Sequence, residues 1–137
     1  MILNETYLII REFKNHLSHI KLRSDNVLQI NTLKDVEYGL DEAKEIIKNI
    51  LEITKNKKYY VLVVSGEYSN VTIESMKLLS SPIAMSYAIA KAYVINSLPQ
   101  KLMANFYLKF LKPEKPVRFF KNKNDAEIWL KTFKGES

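Results

Sequence analysis

Histidine, the side chain best suited to acid–base work and metal binding near neutral pH, occurs twice, at His16 and His19. Three residues apart on an expected strand, the two rings point to opposite faces and do not converge on a metal. Cysteine is absent, which excludes disulfides, thiolate nucleophiles and cysteine-ligated metals. A serine–histidine–acid triad would have to recruit one of the two histidines, and no nucleophile-elbow sequence is present. Gly39, Gly66 and Gly135 stand alone, so no glycine pattern cradles a phosphate. Asp41, Glu42 and Glu45 share one expected helix and read as a solvated face, not as a catalytic pair. These residue types predict binding without catalysis, and no metal or cofactor.

The segment with most to offer a partner is the expected helix from Leu98 to Leu111. Leu102, Met103, Phe106 and Phe110 form an apolar stripe that Tyr107 and Leu111 widen, while Lys101, Asn105, Lys109 and Lys112 lie opposite. Amphipathic helices normally bury such a stripe. If the apolar arc exceeds what a sheet covers, the remainder serves a dimer contact, a partner protein or a hydrophobic ligand. The net charge is +6, and residues 97–137 carry nine Lys or Arg against four acids; the first 96 hold twelve against eleven. Lys115, Arg118, Lys121 and Lys123 add to the basic surroundings of the helix, which suit an acidic partner. Aromatics interleave with these bases, but no nucleic-acid module is recognisable, so a nucleic-acid partner is not expected.

The elements that position these residues are legible from periodicity. A chain of 137 residues, 47% hydrophobic, fits one domain with a core of its own. The reading is a single domain over 16–134, preceded at 1–15 by an extra strand or helix that periodicity does not decide. His16 to Arg23 and Val27 to Leu33 form a hairpin about the turn cluster Ser24-Asp25-Asn26. Gly39 to Thr54 is a helix with Asp41 and Glu42 in its first turn. Tyr59 to Val64, unbroken in apolarity, is a central strand covered on both faces. Val71 to Leu79 is helical, Pro82 opens a further helical turn, and Ala90 to Ile95 is a second buried strand. Pro99 starts the helix that ends at Leu111. Val117 to Phe120 is a last strand, and Asn122 or Asn124 caps a helix burying Ala126, Trp129, Leu130 and Phe133. The region Leu78 to Leu98 is interrupted by Pro82 and Lys91, so it is no membrane span. The opening residues lack the pattern of a secretory leader, and a cytoplasmic location is expected.

This order implies an α/β fold with a mixed, mostly parallel sheet of about five strands, a leading hairpin and helices packed on it. Two stretches carry a resemblance. One is Ser24-Asp25-Asn26-Val27-Leu28-Gln29-Ile30 with Gly39-Leu40-Asp41-Glu42-Ala43. The other runs from Ala104-Asn105-Phe106-Tyr107-Leu108 through Pro116-Val117-Arg118-Phe119-Phe120 to Ala126-Glu127-Ile128-Trp129-Leu130. In these the chain resembles the STAS-like superfamily, the fold of the bacterial anti-sigma factor antagonists, and closer still a group of small uncharacterised bacterial STAS-like proteins. The resemblance implies a regulatory protein–protein interaction module without catalysis, with a protein partner or a second copy of the chain as a homodimer. The alternative is a binder of a small hydrophobic or lipid ligand in a cleft beside helix 98–111. In the antagonists a serine at the start of the second helix accepts a phosphate within Asp-Ser-Ser-Gly. Here the comparable run is Val71-Thr72-Ile73-Glu74-Ser75-Met76-Lys77, so the resemblance implies Ser75 as phosphoacceptor, although Met76 and Lys77 depart from the motif. The residue-level alternative is that Thr72 caps the helix and Ser75 is an ordinary first-turn residue.

Overall fold

The computed structural model describes residues 7–133. Strand β1 (Ile9–Lys14) settles the open choice near the start of the chain, and it pairs antiparallel with β2 (Ser18–Arg23), which pairs antiparallel with β3 (Val27–Thr32). The β2–β3 turn follows from its residues. Asn26 adopts φ 67°, and its N–H donates to the Arg23 carbonyl at 3.0 Å, a left-handed position that Asn tolerates better than most side chains. Strand β2 begins two residues later than its apolar alternation suggests. Asn15 Oδ1 accepts from the N–H groups of Leu17 and Ser18 and closes a turn there, which leaves His16 outside the strand.

After the two-residue β4 (Glu37–Tyr38), α1 (Leu40–Thr54) starts at Gly39, whose N–H donates to the Glu42 carboxylate at 2.8 Å. It leads to β5 (Tyr59–Val64), parallel to β3. Then come β6 (Asn70–Val71), which pairs only with β4, α2 (Ile73–Leu79), and β7 (Ala88–Val94) beside β5. The expected helical turn after Pro82 is a series of turns, held from outside by Lys115 Nζ donating to the carbonyls of Met85 and Ser86. Helix α3 (Leu98–Phe106) continues as one π-helical turn, Tyr107–Leu111, and the chain closes with β8 (Val117–Phe120) and α4 (Lys123–Lys131), capped by Asn122.

The sheet has six strands in the order β1-β2-β3-β5-β7-β8, antiparallel over its first three strands and parallel beyond. Three crossovers step in the same direction across it, and right-handed connections place their helices on one face. That face buries Ile20, Leu28, Ile30, Val61, Val63 and Tyr93. The other buries Tyr60, Leu62, Ala90, Ala92 and Val94 against Ala126 and Leu130 of α4. The small Ala90 and Ala92 leave room for that helix to lie close to the sheet.

Gly66, just after β5, ties three parts of the chain together. Its N–H donates to Thr32 Oγ1 at 2.7 Å, and its carbonyl accepts from Gln100 Nε2 at 3.2 Å. A Cβ here would lie 2.5 Å from the backbone oxygens of Thr32 and Leu33, atoms that cannot turn aside as a flexible side chain would. Gly66→Ala is therefore expected to cost about 2 kcal/mol by overpacking, read as a lower urea midpoint at unchanged slope. An unchanged midpoint would show that the β3 end shifts freely.

Candidate functional site

Helix α3 is fixed at its N-terminus by Ser97, whose hydroxyl accepts from the Gln100 N–H, and by the buried Gln100 side chain. Gln100 Nε2 donates to the carbonyls of Gly66 and Ser69, and its Oε1 accepts from the Asn96 N–H at 2.8 Å. An aromatic cluster fixes the other end. Tyr93 stacks on Phe119 with centroids 4.8 Å apart, and Tyr107 meets both rings edge-on. The side of the helix turned to the sheet is consequently Gln100, Met103, Ala104 and Tyr107, at positions i, i+3, i+4 and i+7.

This corrects the expected inward stripe. Leu102 and Phe110 are each 60% exposed, and Phe106 is half-buried against Phe110, with ring centroids 4.9 Å apart. Tyr107, expected on the partner surface with them, is only 1% exposed and belongs to the interior, because the β7–β8 aromatics draw its ring in. The π-helical turn adds a residue to the winding beyond Phe106 and carries Leu108 and Phe110 outward. Such turns occur often at functional positions. Lys112, at φ 40°, ends it.

Lys101, Lys109 and Lys112 are exposed, as expected. Sequence reasoning missed a groove beside them. Between α3 and the edge strand β8 lies an open depression of about 660 Å³, lined by Leu98, Lys101, Leu108, Phe119, Phe120 and Lys121 among others. Leu98, Lys101, Asn105 and Leu108 form a third face of the helix, neither inward nor opposite to the sheet. Their spacing was visible in the sequence, but the identity of the neighbouring edge strand was not.

Ser75 lies in the first turn of α2, fully buried, with its N–H donating to Thr72 Oγ1 and its hydroxyl 2.8 Å from the same oxygen. Thr72 is thus the cap, and a phosphate on Ser75 would require this turn to open. His19 Nε2 lies 2.9 Å from Glu12 Oε1 on the β1–β2 hairpin, while His16 is exposed and outside the strand. Among the described residues no three His, Asp or Glu side chains form a group that could hold a metal ion, and no helix is long and apolar enough to cross a membrane.

The face of the sheet under α1 and α2 holds a second feature, a cavity of about 70 Å³ lined mainly by aliphatic groups and methionines but also by Tyr38 and Lys91. A neighbouring cavity of about 60 Å³ reaches under α3 to Gln100 and Met103. Lys91, in the middle of β7, is 7% exposed. Burial lowers its pKa from 10.5 to about 8, since a charged amine is poorly solvated there. Burial likewise raises the Tyr38 phenol. The Tyr38 hydroxyl has Ser18 nearby but no partner in hydrogen-bonding geometry.

Residues 20–134 match the protein family described as Domain of unknown function (DUF7793). No curated protein matches the sequence. Among solved structures, the chain is similar to the crystal structure of an uncharacterized protein of the DUF3478 family with a SpoIIAA-like fold, from Shewanella loihica PV-4. The TM-score is 0.53 and the identity 11%, over 93% of this chain and 97% of that one. A likeness at that identity concerns the fold alone.

Proposed function

Because the chain belongs to the DUF7793 family, whose description assigns no activity, we propose its role from its own surface: a regulatory interaction module that docks an acidic, amphipathic segment of another protein along α3. The observation that carries this reading is the groove between α3 and β8, with Leu98 and Leu108 of α3, Phe119 and Phe120 of the edge strand, and Lys101 and Lys121 among its lining. Leu102 and Phe110 extend the apolar surface, and Lys109 and Lys112 extend the basic rim. A helix or extended peptide fills a concave apolar groove and leaves its charges at the rim. A second copy of this chain fits less well, since a symmetric contact would set these lysines against their own copies. A bilayer surface is too flat to fill the groove.

The alternative, a hydrophobic or lipid ligand held beside the same helix, is favoured by the two internal cavities. Their sizes count against a long acyl chain, because each is no more than about half of an apolar cavity known to bind benzene. An acyl chain would require α1 or α3 to move off the sheet.

The test uses the full chain with a photo-crosslinking residue at position 108. The cross-linked protein is identified and purified, and its affinity is measured with and without Leu108→Asp and Phe110→Asp. These exposed changes should alter folding stability by no more than about 0.5 kcal/mol. Binding to an acidic partner that weakens at least tenfold in each variant and falls with salt is the expected result. A cross-link to a second copy, capture by anionic vesicles instead of protein, or indifference to both substitutions would each overturn the proposal.

A further inference from the structure

Lys91 is the one lysine among the buried polar and charged residues of the described chain. Its neighbours on β7, Ala90 and Ala92, face α4, so its own side chain enters the opposite layer, under the helices. There its Nζ makes no hydrogen bond or ion pair with any described residue, and it lies 4.9 Å from the centroid of the Tyr93 ring. No carboxylate has been supplied for it. A buried, unpaired charge is costly, and an ammonium offers three donors and no acceptor.

The cavity that Lys91 lines is mainly apolar, with Val61, Met85 and Ala88 among its walls and Thr32, Tyr38, Tyr59 and Tyr93 also bordering it. A mainly apolar space edged by an ammonium without an ion pair is complementary to an anion with an aliphatic tail. At about 70 Å³ the space is about half that of a cavity known to admit benzene, which favours a short tail. Met76 and Met85 in its walls can adapt to a few extra atoms, as unbranched thioethers do.

We propose that this cavity is a binding site for a short-chain aliphatic monocarboxylate, with the carboxylate paired to Lys91 Nζ and the alkyl tail among Val61, Met76 and Met85. The charge makes the site selective: a neutral alcohol of the same length fills the same space but leaves the ammonium unpaired, and an alkylamine adds a second positive charge. The site is separate from the α3 groove, so it stands or falls independently of the docking proposal.

The test is an NMR titration of the full chain with butyrate, butanol and butylamine as probes, at a pH below 8 where Lys91 is charged. Butyrate should bind at least tenfold more tightly than butanol, with shifts at residues lining the cavity, and butylamine should not bind there. Lys91→Met, which keeps an unbranched chain and removes the charge, should abolish the preference for butyrate over butanol, whereas Leu108→Asp should leave it intact. A second reading, needed if Lys91→Met does not fold, comes from the wild-type protein labelled at lysine ε-carbon. Saturating butyrate should move the Lys91 titration to higher pH, because a bound anion favours the charged amine. Equal affinity for butyrate and butanol, shifts confined to surface lysines, or an unmoved Lys91 titration would overturn the proposal.

Discussion

Arg23→Ala is expected to cost about 3 kcal/mol of folding stability, the lower end of the range for breaking a buried ion pair. Arg23 is 1% exposed, and all three nitrogens of its guanidinium donate hydrogen bonds. Nε and Nη2 donate to the two carboxylate oxygens of Asp25 at 3.0 and 2.6 Å, Nη2 also reaches Glu127 at 2.7 Å, and Nη1 donates to Gln29 at 3.1 Å. The Tyr7 ring covers it at 3.8 Å. Burial alone would lower its pKa; Asp25 and Glu127 more than offset that, and the net direction is upward. Alanine would leave two carboxylates and a carbonyl facing one another where Glu127 of α4 reaches the β2–β3 hairpin. The lower end of the range applies because Asp25 and Glu127 keep about a fifth of their side-chain surface in water, which screens part of the loss. A double-mutant cycle separates charge from packing. Arg23→Met combined with Glu127→Gln should cost less than the sum of the two single changes, since the second removes a charge the first has stranded. Urea unfolding measures all of these. A cost for Arg23→Ala within about 0.5 kcal/mol, the range for surface changes, would mean the cluster is not part of what holds α4 to the sheet.

Nothing in the sequence marks Arg23 as a core residue, because its partners are spread over 104 positions and arginine is seldom buried unless paired. Elements whose signals are local were legible. The continuous apolar run at Tyr59–Val64, the Asn26 turn and the proline after Ser97 each state their structure within a few residues. The α/β order and the mixed sheet followed from those, because strands separated by helices must cross over in one hand. The sixth sheet strand and the short β4–β6 pair were less legible. Strand β1 is exposed along its whole length, which removes the alternation that marks a half-buried strand. Two-residue β4 and β6 pair with each other across more than thirty residues and have no periodicity to read. On the candidate site the exposed lysines stood where the 3.6-residue period put them. The inward face of α3 did not, for two physical reasons. Gln100, a polar residue, is drawn inward by the carbonyls of Gly66 and Ser69. Beyond Phe106 the π-helical turn changes the winding on which the period depends. The groove lay beyond reach because β8 had first to be placed at the sheet edge.

Lys91 supplies the other large expected effect, a folding stability that rises between about pH 8 and 10 and then falls. Its pKa is 10.5 when the chain is unfolded and about 8 when it is folded. Below pH 8 both states carry the charge, and the folded state bears the cost of burying it, about 3 kcal/mol for a shift of that size. From pH 8 to 10.5 the unfolded chain binds more protons than the folded one, so stability increases with pH. Between pH 7 and pH 10 the gain should reach about 2 kcal/mol. Tyrosine then reverses the trend. Burial pushes the Tyr59 phenol from 10.0 up to about 12 and raises Tyr93 and Tyr107 as well. Above pH 10 the unfolded chain therefore loses phenolic protons that the folded one retains, and stability falls. Lys91→Met isolates the first limb. At pH 7 the variant should be more stable than the wild type by about 2 kcal/mol, because it replaces an unpaired buried ammonium with an apolar chain of similar shape. The advantage should shrink steadily towards pH 10, while the tyrosine limb above that pH remains in both proteins. Urea midpoints taken at half-unit steps from pH 7 to 11 trace both curves. A wild-type profile flat between pH 8 and 10, or a Lys91→Met profile with the same rise, would place the charged amine in water. The unpaired buried cation would then be lost both as a source of pH-dependent stability and as the anchor of an anion site.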